Sequence, residues 1–420
     1  MRRAILALAA LLALAAVGAG VAWYLYVKHA SRDIRGSPTV EFVPTETAPV
    51  PKEPGVTWAM YGHDPARLRV AVGSALAPPF RTAWTFRAHS LVEFPPAVGY
   101  GRIFFADNAG VLFAVDSESG RKAWSYRSNR CQAASPALDG HLVFQTFMNT
   151  PPCNRSNSAE LTGELVALHA RSGTVAWSRA IGPSETSPLL AGGNVVVGDW
   201  RGRVYAFAER TGRLRWTTQL DGEVKGGIAS FGSRLFAADY SGHVYALAAT
   251  TGRILWRASA QPRFGSTGTF YATPAVAYGR VYVGATDGKV YSFGAASGDL
   301  RWSTSTGGYV YSSAAVWRGR VYAGSYSHNF YCLDAATGAV LWRFGADGPI
   351  SGSPTVVAGR VYFSTLDGTT YGLDATTGRP LWTFPDGKYS PVVADRTSLY
   401  LVGYTKVYRL VERRAVPSKP

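Results

Sequence analysis

The residues of this sequence best equipped for chemistry are few and scattered. Cys131, Cys153 and Cys332 form no Cys-x-x-Cys pair, which argues against a zinc site. The seven histidines, His29, His63, His89, His141, His169, His243 and His328, include no two at metal-ligand spacing. No Gly-x-Ser-x-Gly elbow and no phosphate-cradling glycine loop is present. Carboxylates recur at Asp199, Asp239, Asp287 and Asp367, each at a hairpin turn, where turn aspartate and not an acid–base pair is the reading. The net charge of +16 attracts phosphates and anionic lipid, so nucleic acid and membrane surfaces both enter as partners to be weighed.

The elements that would position these residues repeat. A glycine followed four residues later by tryptophan occurs at Gly120/Trp124, Gly173/Trp177, Gly212/Trp216, Gly252/Trp256, Gly298/Trp302, Gly338/Trp342 and Gly378/Trp382. Trp84 lies 40 residues before Trp124. A second landmark keeps the same phase: Pro96, Pro136, Pro188, Ile228, Pro274, Ala314, Pro354 and Pro391 each open a short apolar strand. Within one unit, Ala272–Ala277, Val281–Gly284, Val290–Phe293 and a last stretch carrying Trp302 are separated by glycine turns. These are four antiparallel strands, named A to D from the axis outward. The fold expected is all-β, an eight-bladed propeller over 57–412. Each tryptophan is expected to dock on the neighbouring blade's backbone. After Trp382 only three strands follow, so the segment around Trp84 supplies the eighth blade's outer strand and closes the ring.

The repeated strand–Asp-Gly–strand–Ala/Thr-Gly-x-x-x-Trp unit resembles the pyrroloquinoline-quinone-like repeat, and the fold is therefore expected to be quinoprotein-like. The eight-bladed, single-propeller form is similar to the outer-membrane assembly factor family, BamB. The lead-in Trp58-Ala59-Met60-Tyr61-Gly62-His63-Asp64 also looks like that superfamily's. The resemblance implies an assembly or envelope-scaffolding role. It also raises a quinone-dependent dehydrogenase, whose family site uses adjacent cysteines, a calcium held by Glu, Asn and Asp, and an Asp base. No two cysteines are adjacent here, so no enzyme activity, metal or cofactor is expected. A glycan- or ligand-sensing propeller is the other alternative.

Strand order sets two faces. D–A loops and B–C turns share the top; A–B and C–D turns share the bottom. The longer loops, 147–162 and 257–273, are both at the top, where function concentrates in scaffolded folds. Three residues before each strand-A landmark lie Glu93, Ala133, Glu185, Lys225, Tyr271, Tyr311, Ser351 and Lys388, a candidate binding ring. Trp200, Tyr240, Tyr326 and Tyr404 are candidate exposed aromatics on the same face. A protein partner at the top is the leading expectation, and a solvated funnel of internal ion pairs is the alternative. Cys131 and Cys153 fall on loops of that face and are expected to pair, stabilising by ~3 kcal/mol in the chain-entropy picture. Cys332 fills a slot held by alanine elsewhere and reads as a buried thiol. The bottom gathers Arg102, Arg121, Arg213, Arg253, Arg280, Arg320, Arg360 and Arg379, read either as a lipid-facing ring or as ordinary surface pairs. With charge dispersed around a ring, nucleic acid is not expected.

Residues 1–30 hold the apolar run Ala4–Val27, long enough to span ~30 Å of hydrocarbon, with Trp23, Tyr24 and Tyr26 at its end. An uncleaved single-pass anchor is the favoured reading and a cleaved signal peptide the rival. The propeller is then expected outside the cytoplasmic membrane of a bacterial envelope. Proline-rich 31–56 reads as a semi-rigid linker lifting the propeller off the membrane, arriving at its bottom. A basic tail, 413–420, follows the last strand.

Overall fold

Runs of β-branched, aromatic and small residues between glycine turns cannot bury both faces of a single four-stranded sheet, so the sheets stack around an axis. The computed structural model describes residues 2–44, 54–153, 163–262, 268–390 and 392–413. Expectations for Pro49 and Pro51, for the insertion after Cys153, for Arg263 to Gly265, for Pro391 and for the tail beyond Arg413 lie outside them. Eight sheets form the ring, with blade one at 97–127, two at 137–181, three at 189–219, four at 229–259, five at 275–305, six at 315–345, seven at 355–384 and eight at 392–412. Blade five shows the pattern: Ala275–Ala277, Arg280–Gly284, Lys289–Gly294 and Leu300–Ser305 run antiparallel from axis to rim. The ring closes as the sequence implies. Phe80–Arg87 pairs antiparallel with Lys406–Glu412 as the outer strand of blade eight, with Arg81 opposite Val411 and Thr85 opposite Tyr408.

The Gly-x-x-x-Trp motif is a docking joint between neighbours. In each of the first seven blades the C–D ladder shifts register beside its tryptophan, as between Ala114 and Val115 or Ala206 and Phe207. That bulge turns the indole towards the next blade. There the Nε1–H donates to a turn carbonyl: Trp84 to Ser117 (3.1 Å), Trp124 to Ala170 (2.9 Å), Trp177 to Glu209 (2.8 Å), Trp216 to Ala249 (3.1 Å), Trp256 to Ala295 (3.2 Å) and Trp302 to Ala335 (2.9 Å). The ring face lies on the next unit's glycine; a Cβ on Gly338 would sit 2.7 Å from Trp302. Trp342 keeps the ring contact with Gly378 but its N–H has no partner. Trp382 faces the seam, where Phe80 meets it edge-on at 5.5 Å.

Two one-off segments complete the fold. The lead-in 56–71 threads the axial channel from the bottom. Val56–Trp58 pairs with Ala97–Gly99 of blade one. The carbonyls of Ala59, Pro65, Ala66, Leu68 and Arg69 then accept from Leu138, Ser230, Val276, Val316 and Val356 on the inner strands of blades two, four, five, six and seven. The channel is thus a packed plug, with Trp58, Arg67 and Arg69 almost wholly buried.

The second segment departs from the semi-rigid spacer expected. Residues 31–43 are strapped to the outer edge of blade five. Asp33 accepts from Ser305 N (3.1 Å) and Oγ (2.6 Å), Ile34 bridges Ser303, and Glu41 takes Arg301 Nη2 (2.6 Å) and Ser297 Oγ (2.8 Å). Burial alone would raise the Glu41 carboxyl, but the bonds from Arg301, Ser297 and two backbone N–H groups outweigh it and hold it below the usual glutamate range.

The glycine joint can be tested with a matched pair. Gly338 and Gly319 share φ +71°, yet nothing lies within 4 Å of a Cβ on Gly319. Both alanine substitutions are expected to lose about 1 kcal/mol to backbone strain. Gly338→Ala should lose a further ~1–3 kcal/mol because the Trp302 ring must move. Urea melts of the two variants measure the difference, and equal losses would remove the docking role.

Candidate functional site

The top mouth is built where each D–A loop crosses from rim to axis. Residues just before strand A knit these crossings together. Gly227 N donates to Thr273 Oγ1 (2.7 Å), Thr273 N to Ser313 Oγ (2.8 Å), and Ser313 N to Ser353 Oγ (2.9 Å). Ser135 N likewise donates to Ser187 Oγ (2.9 Å). The plug forms the floor. Tyr61 OH reaches Ser353 Oγ at 2.9 Å, and the Arg69 guanidinium stacks 4.0 Å from the Tyr61 ring. Arg67 ties the inner ends of blades three and four together, donating from Nε to Ile228 O (2.8 Å) and from Nη2 to the carbonyls of Ser187 and Pro188 (3.2 Å each).

Over this floor the side chains gather into an arc. Lys225 Nζ lies 4.6 Å from the Trp200 ring centre and 4.5 Å from that of Tyr240, a two-sided cation–π contact. Tyr240 meets Tyr271 edge-on at 6.2 Å, Tyr271 meets Tyr311 at 5.3 Å, and Tyr311 meets Tyr326 at 5.1 Å. Tyr309, half exposed at 51%, extends the arc at the rim. Tyr271 OH donates to Glu185 Oε2 at 3.0 Å. Across the mouth, Lys388 lies 5.2 Å from the exposed Tyr404 ring and Glu93 accepts from Asn108 at 3.2 Å. Ser351 stands at its position in the ring and makes no side-chain hydrogen bond among the described residues.

Electrostatics single out the acids. Burial pushes Glu185 up to about 7, against the opposing pull of Lys225 and of the Tyr271 hydroxyl. Glu93 is raised by the same cause, partly offset by its bond from Asn108. Tyr271 is pushed well above the ordinary phenol value, first by burial and then by Glu185 and Glu93. Sequence reading places Glu185, Lys225, Tyr271 and Tyr311 at one height but does not reveal that Trp200, Tyr240 and Tyr326 join them into one surface. It misses the floor altogether. Nothing in the repeat marks Ala66-Arg67-Leu68-Arg69-Val70, whose two arginines are buried.

The remaining candidates have structural work. Asp199 accepts from the N–H groups of Arg201 and Arg203 and, through Oδ2, from Gly182 N (3.0 Å) and Tyr205 OH (2.8 Å). Asp239 repeats this with Ser241, His243, Gly222 and Tyr245, and Asp287 with Lys289 and Tyr291. These carboxylates pin hairpin tips and the loops beside them. Cys131 and Cys153 are disulfide-bonded, with Cα atoms 5.7 Å apart. Cys332 is buried in blade six. At the bottom, Arg102, Arg320 and Arg360 donate to turn carbonyls, and Arg280 to carbonyls of the strap. The neighbouring Asp116, Asp334 and Asp374 take turn N–H groups. These are turn caps in place of the Arg–Asp pairs expected.

The donor set does not suit a calcium–quinone centre. No three His, Cys, Asp or Glu side chains converge among the described residues. The cysteines are split between a disulfide and a buried thiol, Asp199, Asp239 and Asp287 already hold two or more donors each, and Tyr61 and the two arginines close the channel below the mouth.

A sequence profile described as outer membrane protein assembly factor BamB matches residues 80–198, 148–223, 200–310 and 305–410. The chain belongs to that family. It is similar to BamB of Moranella endobia (strain PCIT), 25% identical over 232 residues, which make up 51% of this chain and 58% of the relative. It is also similar to the dehydrogenase subunit of a quinone alcohol dehydrogenase from Gluconacetobacter polyoxogenes, 27% identical over 30% of this chain and 19% of that one. The chain thus spans under three-fifths of the first relative's length and about a fifth of the second's. Among solved structures, BamB from Moraxella catarrhalis superposes with a TM-score of 0.64 at 17% identity, covering 79% of this chain and 100% of that one. A europium-containing methanol dehydrogenase gives 0.72 at 14% identity, covering 86% and 98%. At these identities the structures share the fold.

Glu185 generates a pH prediction. Its folded value lies above the ordinary 4.5, so its contribution to stability is fully present below that value and is lost as pH rises towards about 7. The wild-type chain should therefore melt lower at about pH 8 than at about pH 5, and Glu185→Gln should flatten that difference. Melting curves at the two pH values check it; an unchanged slope in the variant would locate the titration elsewhere.

Proposed function

We propose, from this family membership and from the top mouth, that the protein is a non-enzymatic scaffold of the bacterial cell envelope. In this reading its N-terminal helix, with Ala9–Ala30 long and apolar enough to cross a bilayer, is a retained anchor. The propeller stands on the extracytoplasmic side, where the Cys131–Cys153 disulfide is at home. Its top mouth grips a protein partner, and the role is in assembling envelope proteins, as the relatives' name describes for them. The observation that carries this is the continuous arc from Trp200 through Lys225, Tyr240, Tyr271 and Tyr311 to Tyr326, over a floor already sealed by Tyr61, Arg67 and Arg69. Aromatic rings and a rigid cation on pre-ordered loops supply contact area at low entropic cost, the composition of binding hot spots.

A photoreactive residue replacing Tyr311 should crosslink the partner in intact envelopes, and one replacing Arg213 at the bottom should not. With the captured partner purified, Tyr311→Ala and Lys225→Ala should each weaken binding by about 2 kcal/mol, roughly thirtyfold. Capture from the bottom with unchanged affinity in both variants would overturn the assignment. In the same preparation, calcium and quinone titration should give no quinone uptake and no dye-linked alcohol oxidation; uptake at stoichiometric quinone would restore the dehydrogenase reading.

A further inference from the structure

Residues 27–43, from the end of the helix onward, are held against blade five along most of their length. Val27, in the last turns of the helix, is buried. The carbonyls of Ala30 and Arg32 accept from Gln261 Nε2 (2.9 Å each), and that of Ser31 accepts from Lys289 Nζ. Gln261 lies on the loop entering blade five at the top, and Lys289 opens strand C at the same level. The C-terminal end of the helix is therefore fastened to the top rim of blade five. From there the strap descends. Asp33 meets Ser305 and Lys289 near the top, Ile34 pairs with Ser303 on the outer strand, and Arg35 donates to Gly338 O (2.8 Å) at a bottom turn. Glu41 is held by Arg301, and Phe42 stacks on Tyr278 at 5.3 Å beside the bottom A–B turn. Gly55, at the mouth of the channel, then meets Tyr100 at the bottom of blade one. The chain does enter the ring from below, as strand order requires, but only after running down the full height of a blade. A bottom-facing membrane would need the helix to end at the bottom.

We propose that the strap turns the top face towards the bilayer that seats the helix, so that the aromatic arc engages a protein rooted in that same membrane. This rests on reading the helix as a retained anchor and the arc as a protein-binding surface. The mouth is concave and of mixed sign, with Glu93 and Glu185 set among the tyrosines and with Lys225 and Lys388 lying over rings. An anionic headgroup entering it meets carboxylates, whereas a protein segment can match both signs. At the bottom Arg102, Arg320 and Arg360 each donate to a turn carbonyl while Arg121, Arg213, Arg253 and Arg379 are exposed, so the orientation rests on the path of the strap and not on charge.

The test uses the full chain in vesicles of phosphatidylcholine and phosphatidylglycerol that carry a headgroup-linked energy acceptor. Donor dyes are placed by Tyr309→Cys at the top and Thr376→Cys at the bottom; the native cysteines are bonded or buried. Stronger transfer from the top than from the bottom is expected. Asp33→Asn with Glu41→Gln, which leaves blade five itself intact, should abolish that difference while circular dichroism and vesicle co-sedimentation stay unchanged. Equal transfer, or stronger transfer from the bottom, in chains that pellet with the vesicles overturns the orientation alone. Chains left in the supernatant overturn the anchor reading and this proposal with it. In native membranes, a photoreactive residue at Tyr309 that links to an integral membrane protein supports the partner class; links to lipid only overturn it.

Discussion

Everything in this ring depends on one repeated contact, an indole laid on a glycine of the next blade. It sets three things together. The glycine must adopt positive φ, its missing Cβ leaves the space the ring fills, and the indole N–H satisfies a turn carbonyl that would otherwise be buried unpaired. Because the ring-on-glycine contact recurs from Trp84 on Gly120 to Trp342 on Gly378, the spacing between those neighbours is set by one rigid contact and not by loosely packed aliphatic side chains. The joint changes only near the seam. Trp382 has no glycine to meet, since the last blade takes its outer strand from the chain's beginning, and Phe80 occupies that place.

That repetition explains what could be read without coordinates. Two landmarks in fixed phase disclose blade number, strand order, closure by the segment around Trp84 and the height of each loop residue. They also place Glu185, Tyr271 and Tyr311 at a common level, because level follows from register. What repetition cannot disclose is anything made once. The plug and the strap have no second copy to compare, and their partners are remote in sequence: Arg67 bonds Ile228, and Glu41 bonds Arg301. Their composition also misleads. Prolines and polar residues in 31–56 suggest free chain, although Asp33, Arg35 and Glu41 each have a fixed acceptor or donor on blades five and six. The buried pair Arg67 and Arg69 belongs to that plug, and its setting appears only when the inner strands are placed around it.

The same fold carries oxidoreductases and assembly factors, so the difference must lie in what the mouth holds. Here Asp199, Asp239 and Asp287 accept from hairpin N–H groups and tyrosine hydroxyls, and these bonds tie the loop tips down. Stiff tips suit recognition, since side chains such as Lys225 and Tyr240 are then ordered before any partner arrives. The sealed floor has the same effect. It fills the axis beneath the arc with Tyr61, Arg67 and Arg69.

The topology also constrains how such a molecule can form. The plug's carbonyls are bonded to inner strands of blades two, four, five, six and seven, so it cannot be threaded into a finished ring; the blades must assemble around it. The outer strand of blade eight comes from the residues immediately after the plug, and its mate is the last strand of the chain. Closure therefore waits for the whole sequence, while the first seven joints form between adjacent units whose separation is short. The strap shares this logic, because it binds blades five and six and brings the helix to the top rim before the ring is complete.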